Sequence, residues 1–249
     1  SLNNAYPDSY LTHALILQKL NRIDESFENL NKAINLNSDF AEAYIVRAEV
    51  YSKKDMPDEA LSDYTFILKF FPNNPEYYFK SGQMKRLLYD FKGAKFDFEK
   101  AFLMLPDNAE YAFSLAMVSN ELKEFANVKM YLDKAIELNP TYEDAYLELG
   151  ILYYRAKKTQ EALKVLDKLI SINSENTRAY FYRAKVKEIL LDNHGANSDY
   201  TRALMDLNYF DAWVARALLK TKHNDFHSAM LDFTKAVQIQ PNNALVHLY

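Results

Sequence analysis

The chain has 249 residues, 49% hydrophobic and 14% aromatic, with four glycines and seven prolines, which excludes a disordered polymer and points to a helix-rich folded protein. A net charge of −4 with no block of Lys or Arg offers no general attraction to phosphate backbones or anionic lipid, so neither nucleic acid nor membrane insertion is expected. Zero cysteines rule out disulfides and thiol chemistry, and no apolar run approaches the roughly 18 residues of a spanning helix, which leaves the compartment open between cytoplasm and, in a bacterial source, periplasm.

Residues 1–6 read as a leader, with Ser1-Leu2 as a cloning scar. From Pro7 the chain predicts two apolar-periodic helices of about 13 residues joined by a short polar turn, and then repeats that unit. The units start at 7, 41, 75, 109, 143, 177 and 210, so the spacing is 34 residues five times and then 33. The fourth position of each unit is Tyr10, Tyr44, Tyr78, Ala112, Tyr146, Tyr180 and Trp213, and the eighth is Ala14, Ala48, Gly82, Ala116, Gly150, Ala184 and Ala217. In the second helix Leu30, Tyr64, Phe98, Leu132, Leu166, Tyr200 and Phe233 recur four residues after a small or branched residue, which places both on one face, toward the first helix. Pro72, Pro106, Pro140 and Pro241 stop second helices, and Asn74-Pro75 supplies a cap and a first helical residue for the next. Residues 244–249 read as a further helix cut short.

A single unit is too short to bury its own apolar face, so copies must stack and share a core. The 34-residue period with an aromatic, a small residue, Ala, an aromatic or Leu, Ala and Pro at these offsets resembles the tetratricopeptide repeat family over residues 7–243. The resemblance implies an all-α fold, a right-handed α-solenoid superhelix of antiparallel helix-turn-helix repeats, with first helices lining a concave groove that binds peptides. The sequence departs from the family at the seventh position (His13, Arg47, Ser81, Arg183, Arg216) and at the eleventh (Lys85, Ser119, Lys187, Lys220).

One departure is accompanied by another. Where the seventh position is Arg47, Arg183 or Arg216, the twenty-third is Asp63, Asp199 or Asp232; where it is Leu115 or Leu149, the twenty-third is Tyr131 or Val165. Each Arg is expected to reach its Asp across the two helices of one repeat in a partly buried bidentate pair, a structural use of charge.

Catalytic signatures are absent: no nucleophile elbow, no phosphate-cradling glycine loop, no zinc-protease motif. His223 and His227 are four apart, but Asn224-Asp225 between them reads as a turn, so no metal site is expected, and no cofactor. The expectation is a non-catalytic protein.

The resemblance puts positions two, five, nine and twelve of each first helix on the concave side, and helical spacing independently puts five, nine and twelve on one stripe. Position five is apolar in every copy: Leu11, Ile45, Phe79, Phe113, Leu147, Phe181 and Val214. Either it packs against the neighbouring repeat or it forms a track for a partner's side chains. For the track, Met117, Ile151 and Tyr154 extend the apolar stripe, and Gln83, Arg86 and Lys185 stand beside it. Position two is acidic in six copies, Asp8, Glu42, Glu76, Glu110, Asp144 and Asp211, which the helix dipole explains and a partner with basic flanks would also exploit. The Lys-Arg-Asn clamp that some family members use for acidic chaperone tails is missing, and so is an asparagine ladder at position six. The predicted function is a protein-interaction scaffold that takes a peptide with apolar anchors. The alternatives are self-assembly through the array ends, giving a homo-oligomer, and a regulatory arm of a larger protein.

Overall fold

In the computed structural model, residues 6–243 are described; the scar expected at Ser1-Leu2 and the further helix expected at 244–249 lie outside the described residues. The described residues form 14 α-helices and no strand. In chain order these are α1 (Pro7–Lys19), α2 (Ile23–Leu36), α3 (Ala41–Lys53), α4 (Pro57–Phe70), α5 (Pro75–Leu87), α6 (Phe91–Met104), α7 (Ala109–Glu121), α8 (Phe125–Leu138), α9 (Glu143–Arg155), α10 (Thr159–Ile172), α11 (Thr177–Ile189), α12 (Asn193–Ala203), α13 (Phe210–Lys222) and α14 (Phe226–Ile239). The odd-numbered helices are the first helices of the repeats. The 33-residue spacing comes from α12, which has 11 residues where the other second helices have 14. The chain divides into two compact units, residues 1–138 and 139–249. The first contains α1 to α8 and the second α9 to α14, and in each, successive helices pack on one another.

Small-against-large packing holds each pair together. Leu30, Phe98, Leu132, Leu166 and Tyr200 are fully buried at the face of the second helix, and Ala14, Ala48, Ala116 and Ala184 oppose them from the first. Gly82 and Gly150 take the small position where even a methyl group does not fit: an added Cβ would lie 2.7 Å from the Phe98 ring and 2.7 Å from Leu166 Cδ2. Short polar side chains cap the starts of α5, α6, α7, α11, α12 and α14. Asn108 accepts from the Glu110 and Tyr111 amides, and Asp90 and Asp192 accept from the amides of Gly93 and Gly195 at 2.9 Å. Those two glycines are therefore explained by capping: a Cβ on either would stand 2.1 Å from the capping carboxylate.

Every turn inside a pair uses one residue in the left-handed region, at Asn21, Asp55, Tyr89, Lys123, Lys157, Leu191 and Asn224, with φ between 56° and 62°. None is glycine. Nor are all these turns polar, as the sequence pattern suggested: Leu88-Tyr89 and Leu190-Leu191 occupy two of them, with Tyr89 and Leu191 largely exposed. The backbone geometry of the hairpin, and not side-chain polarity, is what recurs.

Candidate partner-binding face

The residues singled out in the sequence fall into two groups. The charged pairs lie between helices. Arg47 donates from Nε and Nη2 to the two carboxylate oxygens of Asp63, both at 2.8 Å. Arg183 does the same to Asp199 at 2.8 and 2.6 Å, and Arg216 to Asp232 at 2.8 and 2.7 Å. All three aspartates are 3% exposed, so each carboxylate depends on these bonds in place of water.

Three lysines that the sequence marks only as departures at position eleven bind the carboxylates at position twenty-three. Lys187 and Lys220 add a second cation to Asp199 and Asp232 at 2.8 Å, and where Ser81 replaces the arginine, Lys85 alone neutralises Asp97 at 2.6 Å while Ser81 donates a hydrogen bond to it. The remaining Nη1 of each Arg crosses to the second helix of the preceding repeat, reaching Asn31 from Arg47, Asp167 from Arg183 and Thr201 from Arg216. Each guanidinium also lies over the aromatic ring at position four, 5.0 Å from Tyr44, 5.3 Å from Tyr180 and 5.1 Å from Trp213. A signal for the lysines was present: position eleven is Lys only where position twenty-three is Asp.

The groove candidates divide by exposure. Phe79, Leu147, Ile151 and Phe181 are buried, at 4%, 2%, 3% and 8% exposure, and so belong to the core and do not offer an apolar track. Phe79 stacks on Tyr111 of the next repeat with ring centres 4.6 Å apart, and Phe181 meets Tyr209, the residue that caps the start of α13, at 5.0 Å, so an aromatic at or just before the following first helix covers position five in these two repeats. The half-buried and exposed candidates remain at the surface. In the first unit these are Gln83, Phe113 and Met117, half-buried, with Arg86 exposed. In the second they are Tyr154 and Lys185, both half-buried, with the Lys185 ammonium 6.0 Å from the centre of the Phe181 ring.

The sequence reading missed Tyr182 and Glu148 in the second unit. Tyr182 meets Tyr154 edge to face at 6.0 Å, and beside this pair Glu148 faces Arg178 at 3.8 Å. Burial pushes the Glu148 carboxyl up, against the opposing pull of Arg178. Glu188 accepts a hydrogen bond from the hydroxyl of buried Tyr200. In the first unit Glu42, Glu76 and Glu110 are exposed in the first turns of α3, α5 and α7 with no ion-pair partner among the described residues. The described residues contain no group of three His, Cys, Asp or Glu able to hold a metal ion, and no described helix is long and apolar enough to cross a membrane.

Repeating helix pairs that share a core through interlocking small and large residues, with a polar and aromatic face along the first helices, define an α-solenoid repeat protein. Family models for the tetratricopeptide repeat match residues 7–40, 120–185 and 210–243, and the chain belongs to this family of protein-interaction scaffolds. The structure of YrrB, described as a TPR protein with an unusual peptide-binding site, is 24% identical at a TM-score of 0.63, covering 71% of this chain and 91% of its own. That of MamA is 26% identical with a TM-score of 0.61, covering 66% and 90%. The C-terminal part of a TPR repeat-containing protein from Cytophaga hutchinsonii is 18% identical, with a TM-score of 0.76 over 95% of this chain and 98% of the other. No curated protein matches the chain.

Proposed function

We propose that the chain is a non-catalytic scaffold that holds an extended or helical segment of a partner protein against the first-helix faces of its repeats. The observation that carries this reading is the combination, on the first helices within each unit, of half-buried apolar side chains with nearby charge. In the first unit Phe113 and Met117 follow Glu110 along α7 at i+3 and i+7, and in the second Tyr154 meets Tyr182 on α11, the helix that also carries Arg178 and Lys185. Half-buried apolar surface takes a partner's anchors, and the acidic first turns favour basic flanks. The peptide-binding site reported for YrrB is a precedent on the same fold. The chemistry of the face calls for no cofactor, and its acidic row opposes nucleic acid.

A photo-crosslinking amino acid placed at Gln83, Met117 or Tyr154, compared with one at exposed Phe96 on a second helix, tests the assignment in lysate of the source organism. Adducts to the same protein from the first three positions and none from Phe96 are expected. Equal labelling from Phe96 would move the interaction off this face.

A second reading, self-association, rests on α14. Phe226, Met230 and Leu231 are 61%, 69% and 58% exposed, and Phe226 and Met230 line a cleft of about 380 Å³ with Ala229 and Val237. Sedimentation equilibrium separates the readings: a dimer abolished by Met230→Glu favours self-association, and a monomer at every concentration removes it.

A further inference from the structure

The arginine forks of the chain share one kind of socket. In the seventh repeat Arg216 bonds both oxygens of Asp232, lies over the Trp213 ring and donates from Nη1 to Thr201 Oγ1 at 3.0 Å, while Lys220 adds a second cation to Asp232 Oδ2. The third repeat carries the same set at the same positions, Asp97, Tyr78, Lys85 and, on the preceding second helix, Thr65, but has Ser81 in place of the arginine. The parts of a guanidinium site are therefore present in a repeat that supplies no guanidinium.

Each part is free to take one. Ser81 Oγ and Lys85 Nζ both bond Oδ2 of Asp97, at 2.6 Å, so Ser81 replaces only the Nε half of the fork. Oδ1, the oxygen that takes Nη2 in the three arginine repeats, has no hydrogen bond among the described residues and is not sealed from solvent. Lys85 has not moved into the guanidinium's place. Lys187 and Lys220 bond the same Oδ2 with the arginine present, and the three lysine side chains are alike in exposure, at 23%, 21% and 19%. Among the described residues no cation lies over the Tyr78 ring, whereas Tyr44, Tyr180 and Trp213 each carry a guanidinium at 5.0, 5.3 and 5.1 Å. Thr65 is exposed on α4, and its hydroxyl has no partner among the described residues.

We propose that the third repeat binds an arginine side chain of a partner protein, with its guanidinium donating to Asp97 Oδ1 and Thr65 Oγ1 and stacked on Tyr78. The site calls for two divergent N–H donors and a flat face at once, which a guanidinium has and an ammonium lacks. A second cation on one buried carboxylate is compatible with this fold, since Asp199 and Asp232 each hold two. The occupant is a side chain and not free arginine: Asp97, Tyr78 and Thr65 offer no cation to an α-carboxylate, and Lys85 is committed to Asp97. Positions four and seven lie off the stripe of positions five, nine and twelve, so the socket is a second point of attachment. Its biological occupant rests on the scaffold reading above, whereas the guanidinium site itself does not.

The test is NMR titration of the full chain with N-acetyl-arginine N-methylamide as probe, its lysine counterpart as control, and Ser81→Arg as the variant that fills the socket from within. A charge-assisted site predicts an affinity on the order of 1 mM for so small a probe. Shifts confined to Thr65, residues 78–85 and Asp97 with their neighbours are expected with the arginine probe, and about tenfold weaker with the lysine one. They should be lost in Ser81→Arg and retained in Ser174→Arg, an exposed position of the other unit. Ser81→Arg should also raise the urea midpoint, because it completes the fork that the other repeats have. A lower midpoint, an equal response to both probes, an unchanged response in Ser81→Arg, or no localised response overturns the proposal. Photo-crosslinking at Met117 together with a failed arginine titration would sink the socket alone; the reverse result would sink the scaffold reading alone.

Discussion

Arg47 and Asp63 close a two-bond fork across the helices of one repeat, and burial pushes the Asp63 carboxyl up even as Arg47 pulls it down. Desolvation thus opposes the attraction that makes the pair, which is why a buried ion pair contributes less net stability than its geometry suggests. The fourth and fifth repeats solve the same packing problem without charge, using Leu115 with Tyr131 and Leu149 with Val165.

Arg47→Ala, which leaves the Asp63 carboxylate buried and unpaired, is expected to lower stability by about 3–5 kcal/mol, whereas the double variant Arg47→Leu/Asp63→Val should lose about 1 kcal/mol or less. Urea unfolding of both proteins checks this. A double variant as unstable as the single one would mean that the pair contributes net stability, and that Asn31 and Tyr44 cannot repack without the guanidinium.

Leu191 holds a left-handed backbone, φ 62°, at 73% exposure, so it combines a conformational cost with little packing in return. Leu191→Gly is expected to raise stability by about 0.5–1 kcal/mol, the relief of the Cβ clash being partly offset by the freer unfolded chain. The gain should be smaller for Tyr89→Gly, because the Tyr89 ring meets Phe91 at 6.0 Å. A lower urea midpoint for Leu191→Gly would place the leucine among the turn's stabilising contacts.

Burial raises the phenol of Tyr64 to about 12 and lifts those of Tyr200 and Tyr209 further. Unfolded tyrosines ionise near pH ~10, so between that pH and the folded value the unfolded chain releases protons that the folded chain keeps. This stability is fully present below the unfolded value and is lost as pH rises toward 12. Tyr64→Phe retains the ring and removes the ionisation, and should flatten the alkaline loss by about 1.4 kcal/mol at pH ~11. Stability of both proteins from pH 8 to 11, with absorbance at 295 nm reporting tyrosinate, checks it; identical curves would show that Tyr64 ionises without unfolding.

The period of 34 residues determined the fold, because a helix pair that cannot bury its own apolar face has one way to do so, and seven copies in phase leave little freedom in how each is read. Helix starts and stops followed from the prolines and from Asn74, since capping is local chemistry. The pairing of position seven with twenty-three was also legible, because charge and apolarity alternate together along the chain.

What the sequence could not decide was which of the stripe residues reach the surface. Phe79 and Phe113 share position five, yet Phe79 is buried under Tyr111, a residue 32 positions later, while Phe113 is half-buried. Helical spacing specifies a direction from one axis, but exposure depends on what the next repeat brings to the same place. The reach of Arg183 to Asp167 and that of Arg216 to Thr201 have the same origin. Each joins side chains from different helix pairs, and their separation is set by how the pairs pack, which only the tertiary structure supplies.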